Sequence, residues 1–320
     1  MMKRVVAAII GLAGTVFAIG LGPAATGFTF MKIGVGSRPV AMGQAFTAVA
    51  DDANALFYNP AGLALECPLE LSVTACQLLR GVSYFTGGLT VPFARRFGAG
   101  FGAGLLNATD TRRDELGQEL GSFSLSDIGA GPGFAARLLR QLAVGGTGKF
   151  VYSRIDSFSA WAISFDAGVL YQPVRYINLG ASLLHLGTPR RFIEHREYQP
   201  VNLRAGAAFK LPFQNNHLLL ATDLSVYPDY GPTVGAGGEL KLDLKQLSGG
   251  KNQRLLLRGG YQSGGHLGFW SGFSFGIGYE TVLAPQMVLA VDAVYLSYGI
   301  LGDAERVSLG LKFVPAGSGR

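Results

Sequence analysis

Few residues in this chain are of a type and spacing that could do chemistry. The run Gly145-Gly146-Thr147-Gly148-Lys149 resembles a phosphate-binding loop. That loop needs glycine where Ala143 stands and Ser or Thr where Phe150 stands. The residues around it alternate like a strand, with no helix to follow, so nucleotide binding is not expected. The stretch Gly98-Ala99-Gly100-Phe101-Gly102-Ala103-Gly104 likewise lacks the strand–helix setting of a dinucleotide site. His185, His195, His217 and His266 have no second histidine at metal-ligand spacing. A barrel lipase or protease would need Ser, Asp and His converging on one rim. His195 instead sits in the charged run Arg190-Arg191-Phe192-Ile193-Glu194-His195-Arg196-Glu197-Tyr198, which reads as a solvated loop. Cys67 and Cys76 are expected to be two separate small residues, with a local disulfide as the alternative. No catalytic residue, metal or cofactor is expected.

The elements that must position the remaining polar groups have a period of two, the signature of strands. Val307, Leu309, Leu311 and Phe313 alternate with Arg306, Ser308, Gly310 and Lys312. Val201, Leu203, Ala205, Ala207 and Phe209 alternate with Asn202, Arg204, Gly206, Ala208 and Lys210. Trp161, Ile163 and Phe165 begin a third face, and Met287, Leu289 and Val291 a fourth. Turn residues separate these runs, as at Gln172-Pro173, Asn215-Asn216 and Pro228-Asp229-Tyr230-Gly231. The reading gives about fourteen strands, near 69–79, 82–92, 97–106, 121–138, 141–152, 158–171, 177–186, 201–211, 217–226, 232–242, 253–262, 269–279, 287–296 and 305–313. Most approach the ~9–11 residues of a transmembrane strand rather than the ~5–6 usual in soluble proteins.

Composition decides which face is outside. The 320 residues include 47 Gly, 48% are hydrophobic and only 15% are charged. So few charges cannot coat a soluble barrel of this size. The large aliphatics and aromatics, Leu309, Phe165 and Leu203 among them, are therefore expected to face lipid. The small and polar face is expected to line a lumen, with Arg204, Asp223, Glu239, Arg258 and Asp292 as candidate lumen polar groups. Tyr84, Phe85, Tyr152, Tyr171, Tyr176, Tyr227, Tyr261, Tyr279 and Tyr298 are candidates for interfacial girdles. The net charge of +6 is scattered, so nucleic acid is not an expected partner. The fold expected is an all-β, transmembrane antiparallel barrel.

Met1-Met2-Lys3-Arg4, the apolar run Val5 to Leu21 and small residues at Gly22, Ala24 and Ala25 follow the pattern of a secretory signal peptide. Residues 1–25 are assigned to it, 26–66 to a segment preceding the barrel and 67–320 to the barrel itself. The segment breaks any strand pattern with Gly34, Gly36, Gly43 and the turn Asn59-Pro60-Ala61-Gly62. A short helix is expected over Ala53 to Tyr58, capped by Asp51 or Asp52. Asn59 should end it in an extended conformation because Pro60 follows. A Gly/Ala-rich segment before a wide barrel has the lumen as its natural place.

The run from Ser37-Arg38-Pro39 through Asp51-Asp52-Ala53-Asn54 to Asn59-Pro60-Ala61-Gly62-Leu63 resembles the N-terminal signature of the PorV/PorQ family of outer-membrane proteins, a branch of the FadL-like superfamily. The resemblance implies fourteen strands and an N-terminal hatch in the lumen. Asp51, Asp52, Asn54, Asn59, Pro60, Ala61 and Gly62 are the hatch-motif positions it marks. It also implies location in the outer membrane and a non-enzymatic role in protein export or surface attachment, of the type IX secretion kind, with exported proteins or secretion components as partners. The alternative is a FadL-like channel taking up hydrophobic small molecules. An uptake channel should hold an apolar pocket or a lateral gap past the hatch. An export component should expose apolar loops on one rim. The polar loops at Thr109-Asp110-Thr111-Arg112-Arg113-Asp114-Glu115 and 190–198 are candidate partner contacts. Leu311-Lys312-Phe313 is expected to be the terminal aromatic signal of barrel assembly.

Overall fold

The computed structural model describes residues 26–65, 67–94, 96–192, 195–245, 252–264 and 270–313. The signal-peptide reading over 1–25 lies outside the described residues. The strands are Leu69–Gln77 (β1), Ser83–Phe93 (β2), Phe97–Arg113 (β3), Glu119–Leu139 (β4), Leu142–Ile155 (β5), Phe158–Val174 (β6), Ile177–Gly187 (β7), Arg190–Phe192 (β8), His195–Glu197 (β9), Asn202–Phe213 (β10), Asn216–Tyr227 (β11), Gly231–Asp243 (β12), Gln253–Gln262 (β13), Phe273–Ala284 (β14), Met287–Ser297 (β15) and Asp303–Phe313 (β16). Fourteen of them form a closed antiparallel barrel in which β10 follows β7 and β1 closes on β16. Leu69 stands opposite Phe313 at the seam. Closure leaves no unpaired edge, the condition hydrocarbon imposes on a spanning sheet. The pair β8–β9 forms a separate small hairpin within the loop that had read as merely solvated.

Most connections at one end are turns of two or three residues, such as 140–141, 175–176 and 214–215. The opposite end carries the longer loops 188–201 and 263–272. By the usual asymmetry of bacterial barrels, the short-turn end faces the periplasm. The strand termini Leu69 and Phe313 lie there.

The outward face is apolar as the alternation required. Trp161, Phe165 and Leu309 are exposed at 60%, 56% and 49%. Leu203 differs: it has the outward parity of its strand but is buried, at the extracellular start of β10 where the 188–201 loop arrives. Tyr84 and Tyr227 also depart from the girdle reading, because both face the lumen and line a pocket there. The periplasmic aromatic band is instead anchored by Phe93, Phe97 and Phe134, whose ring centroids lie 5.8–6.0 Å apart.

Candidate functional site

The segment Thr26–Leu65 fills the lumen and runs its full height. Its first residues form a strap at the extracellular rim. The Gly27 N–H donates to the Tyr198 carbonyl at 2.8 Å. Thr26 Oγ1 and Lys32 Nζ both donate to Asp229 Oδ2, at 2.6 and 2.7 Å. The Arg190 guanidinium lies 4.6 Å from the centre of the Phe28 ring. Burial alone would push the Asp229 carboxyl up, but the hydrogen bonds from Lys32 and Thr26 outweigh it and hold it below the ordinary carboxylate range. At the other end Arg137 Nη2 donates to the Leu65 carbonyl at 2.5 Å.

Between these ends, two walls grip the segment by different means. On the β2–β7 wall the grip is steric and apolar. Leu56, Ala61, Leu63 and Leu65 cluster with Ala135, Ala143 and Leu170. Inward glycines admit the segment's backbone. A Cβ at Gly98 would overlap the Leu63 carbonyl, and one at Gly145 would sit 2.6 Å from Pro60. This close approach is why the inner face is so rich in glycine. Asn59 is fully buried and ties three pieces together. Its Nδ2 donates to the carbonyls of Thr47 (2.8 Å) and Val169 (3.0 Å), and its Oδ1 accepts from the Ala61 N–H (3.2 Å). Its backbone is extended, at φ −158° and ψ 99°, as the following proline requires.

On the opposite wall, formed by β12 to β16 and β1, glycine sockets recur toward the extracellular side, where a Cβ at Gly237 or Gly260 would overlap the Met42–Gly43 backbone and Val40 and Ala41 pack on Val294 and Leu296, and the rest of the grip is ionic. Arg38 reaches Asp51 (2.5 Å), Asp52 (2.9 Å) and Glu239 of β12 (2.8 Å). Arg258 joins Glu239 (2.6 Å) to Asp292 (2.5 Å). Nearer the periplasm, Glu280 takes Lys241 (2.7 Å) and Lys312 (3.0 Å). These groups surround a cavity of about 170 Å³.

A third feature lies under the strap. A pocket of about 50 Å³ is bounded by Phe30, Met31, Ile33, Phe57, Tyr58 and Tyr84, with Lys149, His185 and Arg204 at its edge. Its polar edge depends on a bulge. The β6–β7 register slips between Phe165–Leu186 and Ala167–Leu183, so Leu184 and His185 both turn inward. His185 takes a left-handed φ of 62°. Its N–H donates to Asp166 Oδ1 at 2.8 Å, and Lys149 Nζ lies 2.7 Å from Asp166 Oδ2.

The structure brings the expected residues together in two groups. Glu239, Arg258 and Asp292 join Asp51 and Asp52 through Arg38. Arg204 and Asp223 pair at 2.9 Å and clasp the Gln44–Thr47 backbone. Asp51 and Asp52 are not the cap expected for the short helix, which covers Ala55–Tyr58 and follows Asn54. Asp52 Oδ1 instead accepts from the Asn54 N–H at 2.8 Å and from its Nδ2 at 2.9 Å, fixing the turn ahead of the helix. Both cysteines are free, so the alternative of a local disulfide falls. Arg38, Glu70, Glu280, Lys312 and the Lys149–Asp166–His185 cluster were not anticipated. Inward parity alone could have found Glu280 and Lys312.

The architecture is a fourteen-stranded antiparallel barrel plugged by its own N-terminal segment. No family model and no curated protein matches the chain. Solved structures do. The Ralstonia pickettii toluene transporter TbuX aligns at TM-score 0.58 and 13% identity, over 88% of this chain and 99% of that one. The Pseudomonas putida toluene transporter TodX gives 0.57 and 13%, over 88% and 99%. A Pseudomonas aeruginosa FadL homologue gives 0.56 and 12%, over 87% and 98%. At these identities the likeness is one of fold. It extends to the barrel these transporters share and not to the PorV/PorQ branch.

Proposed function

We propose that this protein is a non-enzymatic outer-membrane channel that admits hydrophobic small molecules, with residues 26–66 as its hatch. This reverses the order in which the sequence alone ranked export and uptake. The observation that carries it is the largely apolar pocket between strap and hatch, at the extracellular end where a hydrophobic solute would arrive. Neighbours sharing the fold are transporters of toluene, which lends the same direction. The pocket is smaller than the ~150 Å³ apolar cavity that accommodates benzene. Loading it therefore requires the strap or the hatch to yield. The motif residues Asn59, Pro60, Ala61 and Gly62 anchor the hatch in this reading, while Asp51, Asp52 and Asn54 hold its ionic side.

A second reading, export or surface attachment of the PorV/PorQ type, is supported by the hatch signature and by apolar residues on the extracellular loops. Leu116 and Ile300 are exposed at 85% and 84% there. A deletion strain separates the two readings. Loss of radiolabelled toluene uptake, with an unchanged set of secreted proteins, supports the channel. Unchanged uptake with lost secretion overturns it in favour of export.

A further inference from the structure

The two rims of the barrel differ in charge. At the extracellular rim both signs are exposed, as with Arg112, Arg113, Glu119 and Glu305. At the periplasmic rim the exposed charges of the described residues are all basic: Arg96, Arg140, Arg175, Lys245 and Arg254. Of the acids at that depth among the described residues, Glu70 and Glu280 are buried inside the lumen and Asp243, half-buried, accepts from the Lys245 N–H.

Three of these arginines occupy successive periplasmic turns. Arg96 lies in the β2–β3 turn, Arg140 in the β4–β5 turn and Arg175 in the β6–β7 turn. None of the three has a carboxylate partner among the described residues. Each adjoins an outward apolar side chain: Phe97 beside Arg96, Leu139 beside Arg140 and Tyr176 beside Arg175, all exposed. The Phe93–Phe97–Phe134 cluster sets the edge of the hydrocarbon on this side. A guanidinium one residue beyond that edge stands at headgroup depth, where its stem lies along apolar surface and its charge reaches phosphate. Arginine also suits phosphate better than lysine does, because its planar fork donates in pairs.

We infer that this arc of the periplasmic rim binds the phosphodiester headgroups of anionic phospholipids in the inner leaflet, Arg96, Arg140 and Arg175 each meeting a phosphate. An acidic soluble protein is the less fitting occupant. The arginines are spread around the outside of the wall and alternate with lipid-facing side chains, rather than gathering on a surface turned to water. The inference concerns the barrel's seat in the membrane and does not depend on what crosses the lumen.

The test uses the full-length protein reconstituted into vesicles. Trp161 and Trp270, both toward the extracellular end, are replaced by Phe, and Tyr176→Trp supplies a reporter beside Arg175. Quenching by brominated phosphatidylglycerol is compared with quenching by brominated phosphatidylcholine at equal mole fraction. The expected result is a preference of about fivefold for the anionic lipid, the order that one basic residue near an anionic surface gives. It should shrink in 1 M salt, where screening acts within about 3 Å. The triple variant R96Q/R140Q/R175Q should lose the preference, and the corresponding lysine variant should keep part of it. Heat-modifiable migration on gels verifies that each barrel is folded. Equal quenching by the two lipids, or a preference that survives the triple glutamine variant, would overturn the inference. A preference of the same size at native Trp161 would do so as well, because it would place the effect away from this rim.

Discussion

The two walls that hold the lumen segment solve one problem with different mixtures of fit and charge. On the β2–β7 side, backbone meets backbone through glycine sockets and the leucines of 56–65 exclude water. On the β12–β1 side such sockets take only Ala41 to Gly43 toward the extracellular end, and beyond them charges face charges around a polar cavity. A close-packed interface has no intermediate position: a displaced backbone either refits its sockets or loses them all. An ionic interface tolerates small shifts, because a charge leaving one partner meets water or a neighbouring charge. The glycine wall of β2–β7 is thus suited to be the fixed side of the hatch, and the charged stretch around Arg38 the part that yields.

The sharpest way to break this contrast is to fill a socket. Gly98→Val forces a side chain into the Leu63 carbonyl, and neither backbone can retreat without disturbing β3 or the turn at Pro60. The expected cost exceeds that of ordinary overpacking, about 1–3 kcal/mol. The hatch should unseat, giving large ohmic currents in planar bilayers and protease access to residues 26–65. A Gly98→Val protein with wild-type conductance would show that the wall is not close-packed. The next effect belongs to Arg38. Arg38→Gln leaves Asp51, Asp52 and Glu239 facing one another without that cation. Removing one partner of a buried ion pair costs about 3–5 kcal/mol. The barrel should still fold and migrate normally, while current through it becomes intermittent rather than permanently open. Continuous opening equal to that of Gly98→Val would erase the proposed difference between the walls.

How much of this was legible in sequence follows from the range of the interactions. Strands repeat every second residue, so fourteen of them could be read from alternation, and the extended Asn59 followed from Pro60 alone. The lumen polar groups were legible for the same reason, since parity puts Arg204, Asp223, Glu239, Arg258 and Asp292 on one face. Partner choice was not. Arg38 and Glu239 are joined only by folding the segment back through the barrel. Lys149 and Asp166 keep the inward parity of β5 and β6, whereas their partner His185 was hidden because a single-residue bulge breaks parity there. Leu203 has the parity of a lipid-facing residue, but strand alternation carries no information about a loop that covers its end.

Salt sharpens the contrast more gently. Raising potassium chloride from 0.1 to 1 M shortens the screening length from about 10 to about 3 Å. The Arg38 cluster is only partly screened because it is largely buried. Opening of the wild-type barrel should rise by a few-fold at most, and Gly98→Val, already unseated, should not respond. A large salt response in Gly98→Val would mean that charge still holds its hatch in place.

The smallest effect concerns the strap, a third contact that is ionic like the β12–β1 wall but sits at the rim. The carboxyl of Asp229 is lowered below its unfolded value near 3.9. A depressed acid contributes stability that is fully present above the unfolded value and is lost as pH falls through the folded one. The strap should therefore stay latched from pH 7 to about pH 5 and loosen only below about pH 4. Asp229→Asn removes the charge at every pH. Amide exchange over residues 26–32 should be faster in Asp229→Asn than in wild type at pH 6, and the gap should close as the pH falls below the unfolded value and through the lowered folded one. A difference that does not narrow as the pH is lowered until the wild-type carboxyl is protonated would mean that the latch is the hydrogen-bond geometry from Thr26 rather than the charge on Asp229. The strap would then belong with the glycine wall, held by fit, and not with the ionic one.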